Sequence, residues 1–327
     1  MKAIEYTRYG SPDVLELKEI EKPTPKDNEV LINIHAASVN ALDWHYVRGM
    51  PLIARMGLGL GKPKESRIGA DFSGQVEATG KDVTEFKPGD EVFGARTGAF
   101  AEYICKVEKT LALKPANLTF EQAAAVPVAA CTALQGLRDA GKIQSGQKVL
   151  INGAAGGVGT FAVQIAKVFG AEVTAVCSTR NVDMVRSLSA DYVIDYTKDD
   201  FTQTGPRYDL IFVNAGNRSL SDLRRVLTPN GILVFNNGGP LSASQGRLLG
   251  PLADRFKVAI VARFVSHKMV AFDASVTKED LLVLKGLIEA GKVKPAIERT
   301  YPLSETAEAI RYLEDGHARA KVVITIA

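Results

Sequence analysis

The residues most plainly set up for chemistry form the run Val149-Leu150-Ile151-Asn152-Gly153-Ala154-Ala155-Gly156-Gly157-Val158-Gly159. An apolar β-branched stretch leads into a glycine-rich turn and then into a helical pattern, which is the order a dinucleotide phosphate site requires. Glycines let the backbone approach a pyrophosphate, and the N–H groups at the helix start cradle it. Ala154 stands in the place of the first glycine of the fingerprint.

The next strand ends at Cys177-Ser178-Thr179-Arg180. An NAD site usually carries an acid about 20 residues past the glycines, on the ribose 2′-hydroxyl. Here Ser178 holds that place and Arg180 follows. A carboxylate would repel a 2′-phosphate, whereas a hydroxyl and a guanidinium bind one. The expected cofactor is therefore NADP(H). Arg180 read alone is also compatible with a solvated loop cation. Tyr196, after the third strand, reads either as a hydroxyl near the same phosphate or as a rim tyrosine.

The elements that position these residues follow from periodicity. Short alternating runs such as Val30–Ile34 and Gly74–Ala78, punctuated by Gly10-Ser11-Pro12-Asp13 and Lys87-Pro88-Gly89-Asp90, predict a compact β-rich barrel or sandwich over the first 120 residues or so. Thr119 with Gln122 forms a capping box before an Ala-rich helix. From Lys148 strands and helices alternate: strands at Val149–Ile151, Glu172–Cys177, Tyr192–Asp195, Tyr208–Val213, Gly231–Phe235 and Val258–Val261, and helices at Val158–Phe169, Val182–Leu188 and after Ser219. That alternation predicts a parallel, doubly wound sheet. Thr277 and Ser304 start two more helices, ended by Gly291 and Gly316, and Lys321–Ile326 is a last strand. Met50–Lys62 and Pro240–Leu252 read as loops with apolar content. The first is a candidate pocket cover and the second a surface helix.

The 327 residues fit two domains. A hydrophobic share of 46% with 24% charged residues excludes a disordered or fibrous chain. A net charge of +3 gives no field for nucleic acid or an anionic membrane. No apolar run reaches the ~18 residues of a membrane span. The three cysteines form no CxxC pair or disulfide framework, and no basic-then-apolar leader opens the sequence, so a cytoplasmic setting is expected.

Several motifs together resemble the zinc-independent medium-chain dehydrogenase/reductase family, in its quinone oxidoreductase-like group. They are Ala37-Ser38-Val39-Asn40-Ala41-Leu42-Asp43-Trp44, Gly69-Ala70-Asp71-Phe72-Ser73-Gly74, Lys87-Pro88-Gly89-Asp90-Glu91-Val92-Phe93-Gly94, the Gly153–Gly159 loop, Ile194-Asp195-Tyr196 and Gly316-His317-Ala318-Arg319. The resemblance implies an α/β protein with a GroES-like β-barrel catalytic domain (1–124 and 266–327) and an inserted Rossmann NADP-binding domain (125–265), with the active site in the cleft. It implies cofactor contacts at Thr132, Ala155, Gly156, Gly157, Val158, Ser178, Tyr196, Asn214, Phe264, His317, Ala318 and Arg319. Arg180 and Lys321 join them by charge and position. His317 also reads as a cation on a helix C-terminus.

Zinc-dependent relatives use a Cys near Asn40 and a His-Glu pair where this chain has Ala70-Asp71. Catalytic zinc needs three protein ligands, so no metal is expected. Without a Lewis acid, oxidising a plain alcohol is hard. Hydride donation to a quinone or an α,β-unsaturated carbonyl remains feasible; the resemblance places Asn40 and Asp43 beside the nicotinamide, and His45 falls where relatives often carry Tyr or Lys. His45 is either a proton donor to the developing enolate or a residue facing water. Asn40 and Asp43 have a second reading as turn formers bonding local backbone. Competing functions are a non-catalytic NADPH-binding module and an alcohol dehydrogenase. The expected partners are a small carbonyl or quinone substrate and, through the edge strand at Val258–Val261, a second copy of the chain.

Overall fold

Alternating apolar residues make strands of the first third of the chain: β1 (Lys2–Glu5), β2 (Glu16–Glu19), β3 (Glu29–Val39), β4 (Asp71–Thr79), β5 (Glu91–Ala95), β6 (Tyr103–Val107) and β7 (Leu111–Leu113). The middle supplies β8 (Lys148–Asn152), β9 (Glu172–Cys177), β10 (Tyr192–Asp195), β11 (Tyr208–Val213), β12 (Leu227–Asn236) and β13 (Lys268–Phe272). Then β14 (Ile297–Pro302) and β15 (Lys321–Thr325) follow. This computed structural model describes residues 1–203, 205–215, 218–236, 267–316 and 318–326. The expected strand Val258–Val261 and the Pro240–Leu252 segment lie outside them.

The chain divides into two units, Met1–Cys131 with Ser275–Ala327, and Thr132–Ala274. The expected boundaries at 124/125 and 265/266 therefore move later. The reason at the first is local: the Val128 N–H, in the Pro127–Gln135 helix, donates to Asp71 of β4. At the second, β13 pairs in parallel with β12 and so stays with the inserted unit.

In the first unit the strand order is β14-β15-β3-β4-β5-β7, with β6 also on β3. β3 is the long central strand and is buried along most of its length. It pairs β4 on one edge and β6 and β15 on the other. Ile32, Phe72, Val92, Phe100, Leu111, Val322 and Ile324 share its core.

In the second unit every pairing is parallel, in the order β10-β9-β8-β11-β12-β13. Renumbered within the unit this is 3-2-1-4-5-6, the dinucleotide-binding order, whose switch point falls between β8 and β11. Val149, Leu150 and Ile151 are fully buried, as a strand covered on both faces requires. The predicted caps form at Thr119, Ser219 and Thr277, whose side chains accept from Gln122, Asp222 and Asp280 N–H groups. Ser304 does not cap. It sits inside a 3-10 turn, Leu303–Glu305, ahead of the Thr306–Glu314 helix. No helix among the described residues is long and apolar enough to cross a membrane.

Candidate active site

The inserted unit builds its site at the C-terminal ends of its strands. β8 ends at Asn152, and Gly153 turns the chain at φ 86°. The left-handed conformation thus falls one residue before Ala154, at a true glycine. A Cβ on Gly159 would lie 2.1 Å from the Gly153 carbonyl oxygen, so the helix packs on the turn only because that atom is absent. Gly156 differs: a Cβ there would meet only ordinary contacts, 3.7 Å to Gly153 O and 3.9 Å to Asn214 Nδ2. Gly156 is also the N-cap of the Gly157–Val168 helix and caps it with no side chain. The N–H groups of Gly157 and Val158 at that start, beside Ala155, suit an anion. Asn214 reaches the same loop because its N–H bonds Asn152 O at 2.9 Å, across β11 and β8.

Ser178 and Tyr196 are brought together by register. Asp195 pairs Cys177, and the Tyr196 N–H donates to Cys177 O at 3.0 Å. Ser178 Oγ accepts from Asn181 Nδ2 at 3.0 Å, which leaves its proton available to a phosphate oxygen. Arg180 is exposed and Tyr196 is 42% exposed, as residues reaching toward a phosphate would be. An acid does lie nearby, which the sequence reading missed. Asp195 accepts from the Thr179 and Thr197 hydroxyls at 2.6 and 2.7 Å and from the Thr197 N–H at 3.0 Å. The Thr179 bond, above all, holds its carboxyl below the usual range.

In the barrel unit a buried polar cluster joins the two ends of the chain. Asp71 is fully buried. Its Oδ2 accepts from Ser38 Oγ at 2.9 Å, Asn40 Nδ2 at 3.0 Å and Lys321 Nζ at 3.3 Å, and its Oδ1 accepts from Val128 N at 3.0 Å. Lys321 also donates to Asn40 Oδ1 at 2.7 Å and to Val39 O at 3.3 Å. Breaking such a pair from one side costs about 3–5 kcal/mol, because the other charge is left buried. Asp43 sits beside this cluster on the Ala41–Arg48 helix. Its Oδ2 accepts the Asn40 N–H at 2.7 Å and its Oδ1 the Gly69 N–H at 3.2 Å. Burial pushes its carboxyl up to about 7, with Asp71 adding to the shift and the two N–H bonds opposing it.

The N-terminal part matches the alcohol dehydrogenase GroES-like domain over residues 26–118, and the C-terminal part matches the zinc-binding dehydrogenase family over residues 188–324. The chain is 36% identical to a 2-methylene-furan-3-one reductase of Solanum lycopersicum, over 99% of this chain and 79% of that protein. It is 35% identical, with the same coverage, to an NADPH-dependent alkenal/one oxidoreductase of Arabidopsis thaliana. The quinone oxidoreductase of Coxiella burnetii superposes with a TM-score of 0.83 at 30% identity, over 100% of this chain and 99% of that one. The chain belongs to the medium-chain dehydrogenase/reductase family, in its quinone oxidoreductase-like group.

Several positions expected to act directly in this family member are already engaged. Asn40 spends its amide on Lys321, Asp71 and Ser38 O, so it has no hydrogen left to donate. Asp43 serves as the turn former. The His45 ring stacks on Trp44 with centroids 3.6 Å apart, and its Nδ1 lies 3.2 Å from Met50 O. Nδ1 faces the Met50 carbonyl and burial lowers the pKa of the ring, both of which weigh against the imidazolium donor considered at this position. The carboxylate that acts on His45 is Glu314, not Asp43.

Lys321 does not face a phosphate, because the ammonium is buried on Asp71. Arg319 pairs with Glu298 of β14 at 2.9 Å, and Ala318 packs against the barrel core. Thr132 is buried on the Pro127–Gln135 helix. Phe264 and His317 lie outside the described residues. Among the described residues no three His, Cys, Asp or Glu side chains gather as a metal site. The Met50–Lys62 stretch forms a 3-10 turn (Leu52–Ala54) and a short helix (Arg55–Leu58). Its end borders a cavity of about 510 Å³ with Tyr6, Thr7 and Ser66.

Proposed function

We propose that this chain is a zinc-independent, NADPH-dependent reductase of quinones or α,β-unsaturated carbonyls. The observation that carries the reading is the cradle of the inserted unit: a helix start capped by Gly156 with no side chain, and Ser178, Arg180 and Tyr196 at the ends of the next two strands. These residues fit a dinucleotide with a 2′-phosphate, and the Arabidopsis relative is NADPH-dependent by name. NADPH, when bound, supplies a hydride. Gly156, Gly157 and Val158 would hold the pyrophosphate and Ser178 and Arg180 the 2′-phosphate, with Asn214 flanking the loop.

The zinc-independent part rests on donor chemistry. Asp71 stands where relatives have a ligand, and both of its oxygens are taken up by Ser38, Asn40, Lys321 and Val128. Asn40, Asp43 and His45 act as positioning residues, since the Asn40 amide, both Asp43 oxygens and His45 Nδ1 are each engaged by protein groups. The proton that follows hydride addition then comes from solvent.

A turnover screen with NADPH against quinones, enals and enones, in the presence of a strong chelator, tests the reading. NADPH oxidation coupled to saturation of the conjugated bond or to quinol formation is expected, unaffected by the chelator. Tight NADPH binding with no turnover across the panel would support the non-catalytic module instead.

A further inference from the structure

The barrel unit carries a second gathering of charge that the cofactor site does not use. Three cations converge on the turn Arg96-Thr97-Gly98 between β5 and β6. Lys106 of β6 is only 3% exposed, and its ammonium makes one long contact, 3.4 Å to Thr97 O. The Arg67 guanidinium carbon lies 3.9 Å from where a Cβ on Gly98 would stand. Arg96 belongs to the turn itself, fixed by its N–H on Ala70 O at 2.6 Å. Gly98 turns at φ 103°. The N–H groups of Thr97 and Gly98 donate to no acceptor among the described residues.

No carboxylate pairs with these three cations among the described residues. Glu29 acts on Lys106 only from beyond ion-pair distance and accepts the Lys26 N–H instead. Burial, followed by repulsion from Arg96 and Arg67, pushes the Lys106 ammonium down to about 7. A buried ammonium with one weak partner and two cationic neighbours is costly to hold unless something negative arrives.

We propose that this turn is a binding site for a phosphate-class oxyanion, held by Arg67, Arg96 and Lys106 with the Thr97 and Gly98 N–H groups. A tetrahedral dianion matches the cluster better than a carboxylate, because it offers more acceptor oxygens and more charge to a group of three cations and two backbone donors. The ligand is either free phosphate or the phosphate group of a larger molecule, and the two have the same contact chemistry.

Calorimetric titration at constant ionic strength tests the site, with inorganic phosphate as the first probe and a short alkyl phosphate as the second. With the cofactor cradle saturated by NADPH, the wild-type chain should show one saturable phosphate site. Joint substitution of Arg67→Gln and Arg96→Gln should weaken it roughly 10–100-fold, the range for losing charge-assisted bonds. Lys106→Met should weaken it likewise and abolish the rise in Tm that phosphate gives the wild type. If Lys106→Met fails to fold, the arginine pair carries the test. Arg180→Ala should leave this site unchanged. Equal binding of the alkyl phosphate supports a site for the phosphate group of a larger ligand, and binding of phosphate alone supports a free-ion site. No saturable binding, or binding lost in Arg180→Ala and kept in the arginine pair, overturns the proposal.

Discussion

At the scale of single residues, the 2′-phosphate end is the most direct to test. Arg180→Ala should weaken NADPH by about 1.5–3 kcal/mol and leave NADH nearly unchanged. Dissociation constants for the two cofactors, measured by fluorescence, check this. His45→Phe should stay within a few-fold of wild type in kcat, and the rate should not follow a histidine titration, because Nδ1 is committed to Met50 O and burial lowers the pKa of the ring. A 10²–10⁴-fold loss, the usual effect of removing a general acid, would restore the donor role.

Asp43 gives a pH signature of stability. Its carboxyl is near 7 when folded and about 3.9 when unfolded. Between those values the folded chain holds a proton that the unfolded chain has released, so stability falls as pH rises from about 4 through 7. Urea unfolding at pH 5 and pH 8 should show that loss in the wild type and a smaller one in Asp43→Asn. The strand–turn–helix around Gly153–Gly159 was legible because glycines advertise a turn locally. Asp71 was legible only as a missing zinc ligand. Its actual partner, Lys321, is 250 residues away in sequence, and no spacing rule links them.

At the scale of elements, two glycines in one loop separate folding from binding. Gly159→Ala puts a Cβ 2.1 Å from Gly153 O and should destabilise the chain by about 1–3 kcal/mol through displacement of the helix. Gly156→Ala meets no close protein atom and has φ −79°, so its Tm should match wild type while NADPH binding weakens. Thermal melts and cofactor titrations of both variants check the pair. The inner strands β8, β9 and β11 could be read almost to the residue, since each is an apolar run buried along most of its length, whereas β13, half-buried at the end of the described sheet, was not read at all. The start of the Thr306–Glu314 helix could not. Ser304 looks like a cap, but the backbone there tightens into a 3-10 turn, and Glu305 takes the cap position. The Asp195 cluster was missed for a related reason: its hydroxyl partner Thr179 comes from a neighbouring strand end, and only the β9–β10 register brings them together.

At the scale of the whole molecule, β13 ends the described sheet of the inserted unit, so its outer edge is the place where a second copy would pair. A homodimer mass by light scattering at micromolar concentration is the expected result, and a monomer mass would count against pairing there. The division into two units was legible from the change of period near Asn117. Its boundaries were not, because they depend on which strand β13 pairs with and on the Val128–Asp71 bond.

The contact between Lys321 and Asn40 spans 281 residues. It therefore sets a timetable for biosynthesis. A ribosome adding about 5–20 residues per second needs roughly 14–56 s between making Asn40 and making its lysine. During that interval β3 lacks β15 along one edge, and Asp71 lacks its counter-charge. The inserted unit, contiguous from Thr132 to Ala274, has all of its sheet strands available before the barrel can close. The half-built barrel is thus the part of the nascent chain that would most need shielding from aggregation.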